Sequence, residues 1–271
     1  ADALASVGAP LGLSTEAAAL GAVAIVDAAM DRALRRVSVE RGHAPGDFTL
    51  VAFGGAGPLH ACALADGLGA RDVLVPGSPG ALSAIGLATA VPTATAARSV
   101  LRRAATAALG DEETWRALTL EAESQLGEAA TSIARFADVR YDGQSWEVTV
   151  PCPAGGDVRA AFDVAHRRAY GYARPEAGIE VVTLRVRAAG GDRATLPPPP
   201  PPAAVAIGRT SILLDDGSRT DAPVVARVGL VPGEVWAGPA VIAQYDATTY
   251  VAPGWRARLG PWGELWLERA R

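Results

Sequence analysis

The stretch Phe48-Thr49-Leu50-Val51-Ala52-Phe53-Gly54-Gly55-Ala56-Gly57-Pro58-Leu59-His60 constrains this chain more than any other. An apolar run without polar alternation suits a strand buried on both faces. Three glycines within four positions follow at once. Pro58 then falls where a first helical residue would, its missing N–H costing nothing there and its φ already helical. The order is strand, glycine turn, helix. Backbone without a Cβ admits a phosphate or nucleoside closely, and the helix behind it presents free N–H groups and partial positive charge. Two common nucleotide motifs do not fit the letters. A Walker loop ends in Gly-Lys-Ser/Thr, and the chain contains no lysine. A dinucleotide fingerprint needs glycine where His60 stands and an acid after the next strand, where Val73-Leu74-Val75-Pro76-Gly77 offers none. By glycine pattern alone, a nucleotide turn and a tight turn in an ordinary αβ unit both stay open.

Longer signatures surround that turn. Val39-Glu40-Arg41-Gly42, Phe53 to His60, and Pro79-Gly80-Ala81-Leu82-Ser83-Ala84-Ile85-Gly86-Leu87 run in order. Far downstream come Gly238-Pro239-Ala240-Val241-Ile242, Thr248-Thr249 and Pro253-Gly254-Trp255. Together they resemble the C-terminal part of the hydantoinase A/oxoprolinase family, whose members include N-methylhydantoinase A, 5-oxoprolinase and subunits of acetone and acetophenone carboxylases. The resemblance implies an actin-like ATPase, related to sugar kinases and heat-shock chaperones, in which a strand–Gly-Gly–helix unit forms the adenosine side of a cleft. It implies ATP and Mg²⁺ as cofactors, with the nucleotide held at Gly54, Gly55 and Gly57. His60, Ser83 and Arg36 are candidate lining residues. Family members are longer and open with a phosphate strand, Asp-x-Gly-Gly-Thr, that is not found here. The metal ligands and phosphate clamp are therefore expected outside this chain, on a phosphate-lobe segment or subunit preceding it, and no catalytic residue is assigned. A hydantoinase B-type subunit is the further expected partner.

Composition narrows the class. The 271 residues are 49% hydrophobic, with a net charge of −4 and no long run of one sign, which argues for a globular fold without a nucleic-acid footprint. The absence of lysine also removes a lysine nucleophile or Schiff base. Cys62 and Cys152 stand in different segments without metal-ligand spacing, and a reduced, cytoplasmic protein is the expectation. The most apolar helix candidate, Ala17 to Val26, is broken by Asp27 and falls short of the roughly 20 residues of a membrane span. The chain opens at Ala1 without a methionine or signal peptide, so a fragment, a processed chain or a split subunit is expected.

Taken in order, Ser14 and Thr15 cap a helix whose stripe Leu20, Val23, Val26, Met30, Leu34 and Val37 repeats every three or four residues, ending at Gly42. Arg36 and Glu40 lie off that stripe, either solvated or reaching toward a nucleotide. The βαβ unit Phe48–Phe53, Pro58–Leu68, Val73–Val75 follows, then a short helix from Ala81. His60 begins the βαβ helix, a place for either a packed histidine or a site residue. With only His43, His60 and His166, no metal site assembles. A second amphipathic helix is expected over 112–133, then a hairpin about Asp142-Gly143 with Trp146, Val148 and Val150 on its buried face. A helix near 158–169 leads to a strand with Val182, Leu184 and Val186 on one side. Gln144, Tyr170 and Tyr172 match the family pattern in packing and turn roles. Six prolines, 197–202, form a strut of about 19 Å at roughly 3.1 Å per residue. Beyond them, glycine and proline punctuation predicts a small barrel or sandwich.

The fold expected is α/β. Residues 1–97 are part of an actin-like lobe, 98–196 an α+β accessory region, 197–202 a polyproline linker and 203–271 a β-rich C-terminal module. The function implied by resemblance is ATP-dependent activation of a carbonyl, for cyclic amide hydrolysis or, alternatively, ketone carboxylation. Two further classes stay open: a nucleotide-sensing subunit, and a structural subunit whose glycine turn only lets helix and strand pack closely.

Overall fold

The computed structural model describes residues 2–104, 112–191 and 207–270. In chain order its elements are α1 (Asp2–Gly8), α2 (Thr15–Val37), β1 (Thr49–Val51), α3 (Gly57–Leu68), β2 (Asp72–Val75), α4 (Leu82–Ala88) and β3 (Thr93–Ala104). Next come α5 (Glu112–Leu126), β4 (Ser132–Tyr141), β5 (Val148–Pro151), α6 (Val158–Tyr170) and β6 (Ile179–Ala189). The remainder is β7 (Ile207–Leu213), β8 (Arg219–Ala226), β9 (Val235–Ala237), β10 (Ala240–Ala243), β11 (Thr248–Val251), β12 (Trp255–Leu259) and β13 (Leu265–Arg269). Two compact units result, Ala1–Leu87 with Pro197–Arg271, and Ala88–Leu196.

In the first unit Ser14 caps α2 by accepting the Ala17 N–H at 3.1 Å. Glu16 in the first turn and Arg35 and Arg36 in the last suit the helix dipole. The βαβ unit forms as the sequence predicts, with β1 and β2 parallel and Leu50 opposite Val73. It does not stand as a lobe separate from the C-terminal strands. The sheet runs β1-β2-β13-β12-β9, with β13 antiparallel to β2 and Trp266 opposite Leu74. A second sheet, β11-β10-β8-β7, shares the same core. Ala61, Cys62 and Ala65 of α3 meet Val73, Ile242, Val251 and Leu267 there. Small side chains on that face of α3 let the helix lie close to the strands. The sequence division between 1–97 and 203–271 is thus corrected: alternation shows that Leu265–Arg269 is a strand, but not that its partner is β2. The polyproline run, 197–202, lies outside the described residues.

Two expectations for this unit change. β1 is three residues long and lies at the sheet edge, with Val51 45% and Phe53 50% exposed, so it is not buried on both faces. The stripe of α2 is open as well: Val23, Val26 and Val37 are exposed, and Ala18 is the helix's buried residue.

The second unit is the antiparallel sheet β3-β6-β4-β5 with α5 and α6 packed on it around Trp115, Leu118, Phe162 and Leu184. α5 ends at Leu126 rather than reaching 133, because Gly127 takes φ 78 and leaves the helix. The Asp142-Gly143 turn widens into a loop, since the nearest β4–β5 pair is Val139 with Val148, and Trp146 points to solvent. A bulge opposite Asp138 and Val139 slips the β6 alternation, so Val181 rather than Val182 is buried. His166 is fully buried among Tyr141, Phe162, Tyr170 and Tyr172. Its Nδ1 donates to Tyr172 O at 2.8 Å, and Gln144 Nε2 donates to its Nε2 at 3.2 Å. This histidine is spent on packing.

Candidate functional site

Two loops of the first unit converge on the glycine turn. Gly54 has φ 83 and donates its N–H to Pro79 O at 2.7 Å. Gly55 O accepts the Thr248 N–H at 3.4 Å. Asp246 Oδ2 accepts the Gly80 N–H at 2.9 Å, tying the 78–80 loop to the β10–β11 turn. A Cβ on Gly80 would fall 2.8 Å from Asp246 Cβ, so only glycine permits that approach. A Cβ on Gly54, by contrast, would meet no atom within 4 Å, so the space over the turn is open. The positive φ belongs to Gly54 and not to Gly55, where a Cβ would make only ordinary contact at 3.5 Å with Asp246 O. Gly57 and Pro58 then start α3, whose N-cap residue, Ala56, supplies no side-chain cap. Pro58 carries no N–H and Leu59 gives its own to Ala56 O, so the N–H groups this helix start offers an anion are those ahead of Pro58.

His60, in the first turn of α3, donates from Nδ1 to Asp27 Oδ1 at 2.6 Å. The carboxylate accepts only, which fixes the donor role on Nδ1. Asp27 comes from α2, and no sequence signal pairs positions 33 residues apart. Arg35 of the same helix bonds Asp31 at 2.6 Å and Gly67 O at 2.6 Å, so Arg35, not Arg36, ties α2 to α3. Arg36 and Ser83 sit on exposed faces of α2 and α4. Among the described residues no hydrogen bond or ion pair joins either to the turn.

An apolar groove of about 260 Å³ opens beside the turn between α2, β1 and α3, lined by Met30, Leu34, Leu50, Val51, Phe53 and Leu64. Cys62 is buried under the site, and burial pushes its thiol up to about 11, so it is no thiolate at neutral pH. Among the described residues no group of three or more His, Cys, Asp or Glu side chains could hold a metal ion. No single described helix is long and apolar enough to cross a membrane.

The sequence reading missed Asp27, Gln244 and Asp246. The only local signal was that Gln244 and Asp246 stand just before the Thr248-Thr249 pair.

Residues 1–96 match the hydantoinase/oxoprolinase family. The chain is similar to the caprolactamase subunit alpha of Pseudomonas jessenii, 29% identical over 274 residues that cover 93% of this chain and 39% of that one. It is also 29% identical to 5-oxoprolinase 1 of Arabidopsis thaliana, covering 94% of this chain and 21% of the relative. The solved structure of the ATP-dependent caprolactamase from Pseudomonas jessenii resembles it with TM-score 0.75 at 27% identity, covering 100% of this chain and 42% of that one. Nucleotide-free acetone carboxylase, from work on ATP-dependent acetone carboxylation, gives 0.74 at 25%, covering 99% and 42%. The chain spans about two fifths or less of the proteins it matches.

Proposed function

We propose that this chain, a relative of the hydantoinase/oxoprolinase enzymes, supplies the adenosine side of an ATP site in an enzyme that opens cyclic amides. Phosphorylation of the amide oxygen by ATP draws electron density from the carbonyl carbon, so that water can add there. The ring C–N bond then breaks as the nitrogen takes a proton, and a second water releases phosphate from the acyl phosphate that is left. Gly54, Gly55 and Gly57 receive the nucleotide through their backbone, and the His60–Asp27 pair lines the site. We read the first unit as part of an actin-like lobe, a reading supported by its parallel β1–α3–β2 unit and the glycine turn between strand and helix. The observation that carries the proposal is that turn: left-handed at Gly54, open where side chains would stand, and heading a helix without a side-chain cap.

The phosphate clamp and the metal ligands belong to the rest of the enzyme in this reading. The exposed apolar side chains of α2, Ile25 at 71% among them, and Val51 and Phe53 at the sheet edge dock that phosphate-lobe segment. The greater length of the relatives supports this occupant. Arg36 and Ser83, exposed on their helices, are available to the same segment or to a hydantoinase B-type subunit.

Titrating ATP and ADP into the complete protein by calorimetry tests the proposal. Binding that Gly54→Val removes, with ATP-dependent release of an amino acid from a lactam, is the expected result. Affinity unchanged by Gly54→Val would remove the turn from the site. Bicarbonate-dependent carboxylation of a ketone in place of lactam opening would support a second reading, which the nearly equal likeness to acetone carboxylase favours.

A further inference from the structure

Behind the glycine turn lies a polar chain that the turn's own chemistry does not explain. Arg227 is 6% exposed. Its guanidinium donates to Val75 O at 2.9 Å, Gly263 O at 2.8 Å and Gln244 Oε1 at 2.6 Å. Burial lowers its pKa to about 10, which leaves it charged at neutral pH. Gln244 Nε2 donates to Asp246 Oδ1 at 2.6 Å and to Gly77 O at 3.3 Å. The other carboxylate oxygen, Asp246 Oδ2, takes the Gly80 N–H at 2.9 Å. One residue before Gly80, Pro79 O holds Gly54, and two residues after Asp246, Thr248 N–H holds Gly55.

The polarity of this chain admits one order. A guanidinium only donates and a carboxylate only accepts. The group between them must therefore accept on one side and donate on the other, and the Gln244 amide does both. A glutamate there would set two carboxylates face to face. An apolar side chain would leave a buried cation and an acid each short of a partner.

We propose that Arg227, Gln244 and Asp246 are positioning residues that hold the 77–80 and 244–248 loops against the glycine turn and so fix Gly54 and Gly55 in the shape that receives the nucleotide. This rests on the reading of the turn as a nucleotide site. It makes loops far along the chain determinants of affinity at a turn they do not contribute to.

The test exchanges the amide and the carboxylate. Gln244→Glu opposes Asp246 with a second carboxylate. Asp246→Asn presents an amide that can satisfy Gly80 or Gln244, not both. In the double exchange the carboxylate now at position 244 accepts from Arg227 and from the amide now at position 246, and only the 3.3 Å bond to Gly77 O is not restored. The oxygen of that amide accepts from Gly80, and net charge is unchanged. MgATP affinity is measured on the complete protein by calorimetry, with thermal stability recorded beside it. Each single exchange is expected to weaken MgATP by about tenfold or more, and the double to return within about threefold of wild type.

Wild-type MgATP affinity in both singles, even with lowered thermal stability, would make the relay merely structural and overturn the proposal. A double exchange that folds yet stays tenfold weak would overturn it too. Should a single exchange not fold, amide hydrogen exchange decides on the proteins that do. MgATP must slow exchange at Gly54 and Gly80 equally in wild type and double, and no added protection at either refutes the relay. Gly54→Val separates the two levels. If it leaves MgATP affinity intact, the turn itself is not the site; if it abolishes affinity while the single exchanges do not, only the relay falls.

Discussion

Gly80→Ala offers the sharpest check on the geometry around the turn. The new Cβ would fall nearest the Asp246 carbonyl oxygen, closer than any real contact allows, and 2.8 Å from Asp246 Cβ and 3.0 Å from its carbonyl carbon. Reaching the 3.4 Å at which ordinary contact begins requires the two loops to part by more than the 0.6 Å that separates 2.8 from 3.4 Å, because the carbonyl oxygen lies nearer still. Neither side yields easily. Asp246 lies in the tight turn between β10 and β11, which the Gln244 N–H closes by donating to Ala247 O at 3.0 Å. A separation of that size takes the 2.9 Å bond from Gly80 N–H to Asp246 Oδ2 out of hydrogen-bond range. Overpacking costs about 1–3 kcal/mol and a hydrogen bond to a charged group about 1.5–3 kcal/mol. One displacement relieves the first at the expense of the second, so the costs do not sum fully, and a loss of about 2–4 kcal/mol is expected. For a unit of this size that lowers Tm by of order 10 °C. Denaturant unfolding followed by the fluorescence of Trp236, Trp255 and Trp266 measures it. Gly86→Ala is the control: a Cβ there meets nothing within 4 Å, and helix propensity predicts a change between zero and a gain of about 1 kcal/mol. If Gly80→Ala unfolds within about 0.5 kcal/mol of wild type, the approach of Asp246 to the 78–80 loop is not as described.

Two further outcomes follow from burial and exposure. Because the Cys62 thiol is raised to about 11 in the fold from an ordinary value of 9.0, the native state holds a proton that the unfolded chain releases. Its contribution is full below pH 9 and is lost as pH climbs toward 11; Tyr141 and Tyr250, raised in the same direction by burial, add to that loss. Cys62→Ala should flatten the decline by about 1–3 kcal/mol in denaturant titrations across that range, and an unaltered slope would show that the thiol is not buried as described. The purified chain should self-associate through the open faces of α2 and β1 and release phosphate from MgATP at no enzymatic rate. Ile25→Glu should shift it toward monomer by light scattering without lowering Tm, and robust turnover by a monomer would contradict the division of the site between this chain and the rest of the enzyme.

What the sequence made legible was what neighbouring residues decide among themselves. Ser14 announces α2 because a cap needs only the next three residues, and Pro58 announces α3 for the same reason. Gly127 was an equally local stop for α5, and the amphipathic stripe running past it outweighed that signal. Exposure was not legible. The apolar letters of β1 and α2 describe surfaces that require cover, and letters do not say whether this stretch of chain supplies it. Pairing was legible least of all. His60 with Asp27, and Asp246 with Gly80, meet across 33 and 166 positions. Such contacts leave no periodicity at either end, which is why the glycine turn was visible and the residues bracing it were not.

The place of β13 between β2 and β12 bears on how such a protein is made. During synthesis β1, α3 and β2 leave the ribosome long before the strand that lies against β2. Arg269, which bonds Asp66 and the carbonyls of Ala65 and Ala70 at the end of α3, emerges 203 residues after Asp66. The second unit is continuous in sequence and can close as soon as it is out. The first must wait with Val73 and Val75 uncovered and one edge of β2 unpaired. Unpaired edges and exposed apolar strands are what chaperones hold and what aggregation recruits. A ribosome stalled after β8 would therefore carry a finished second unit and an unfinished first one, and protease pulses on such nascent chains would cut selectively before Leu87.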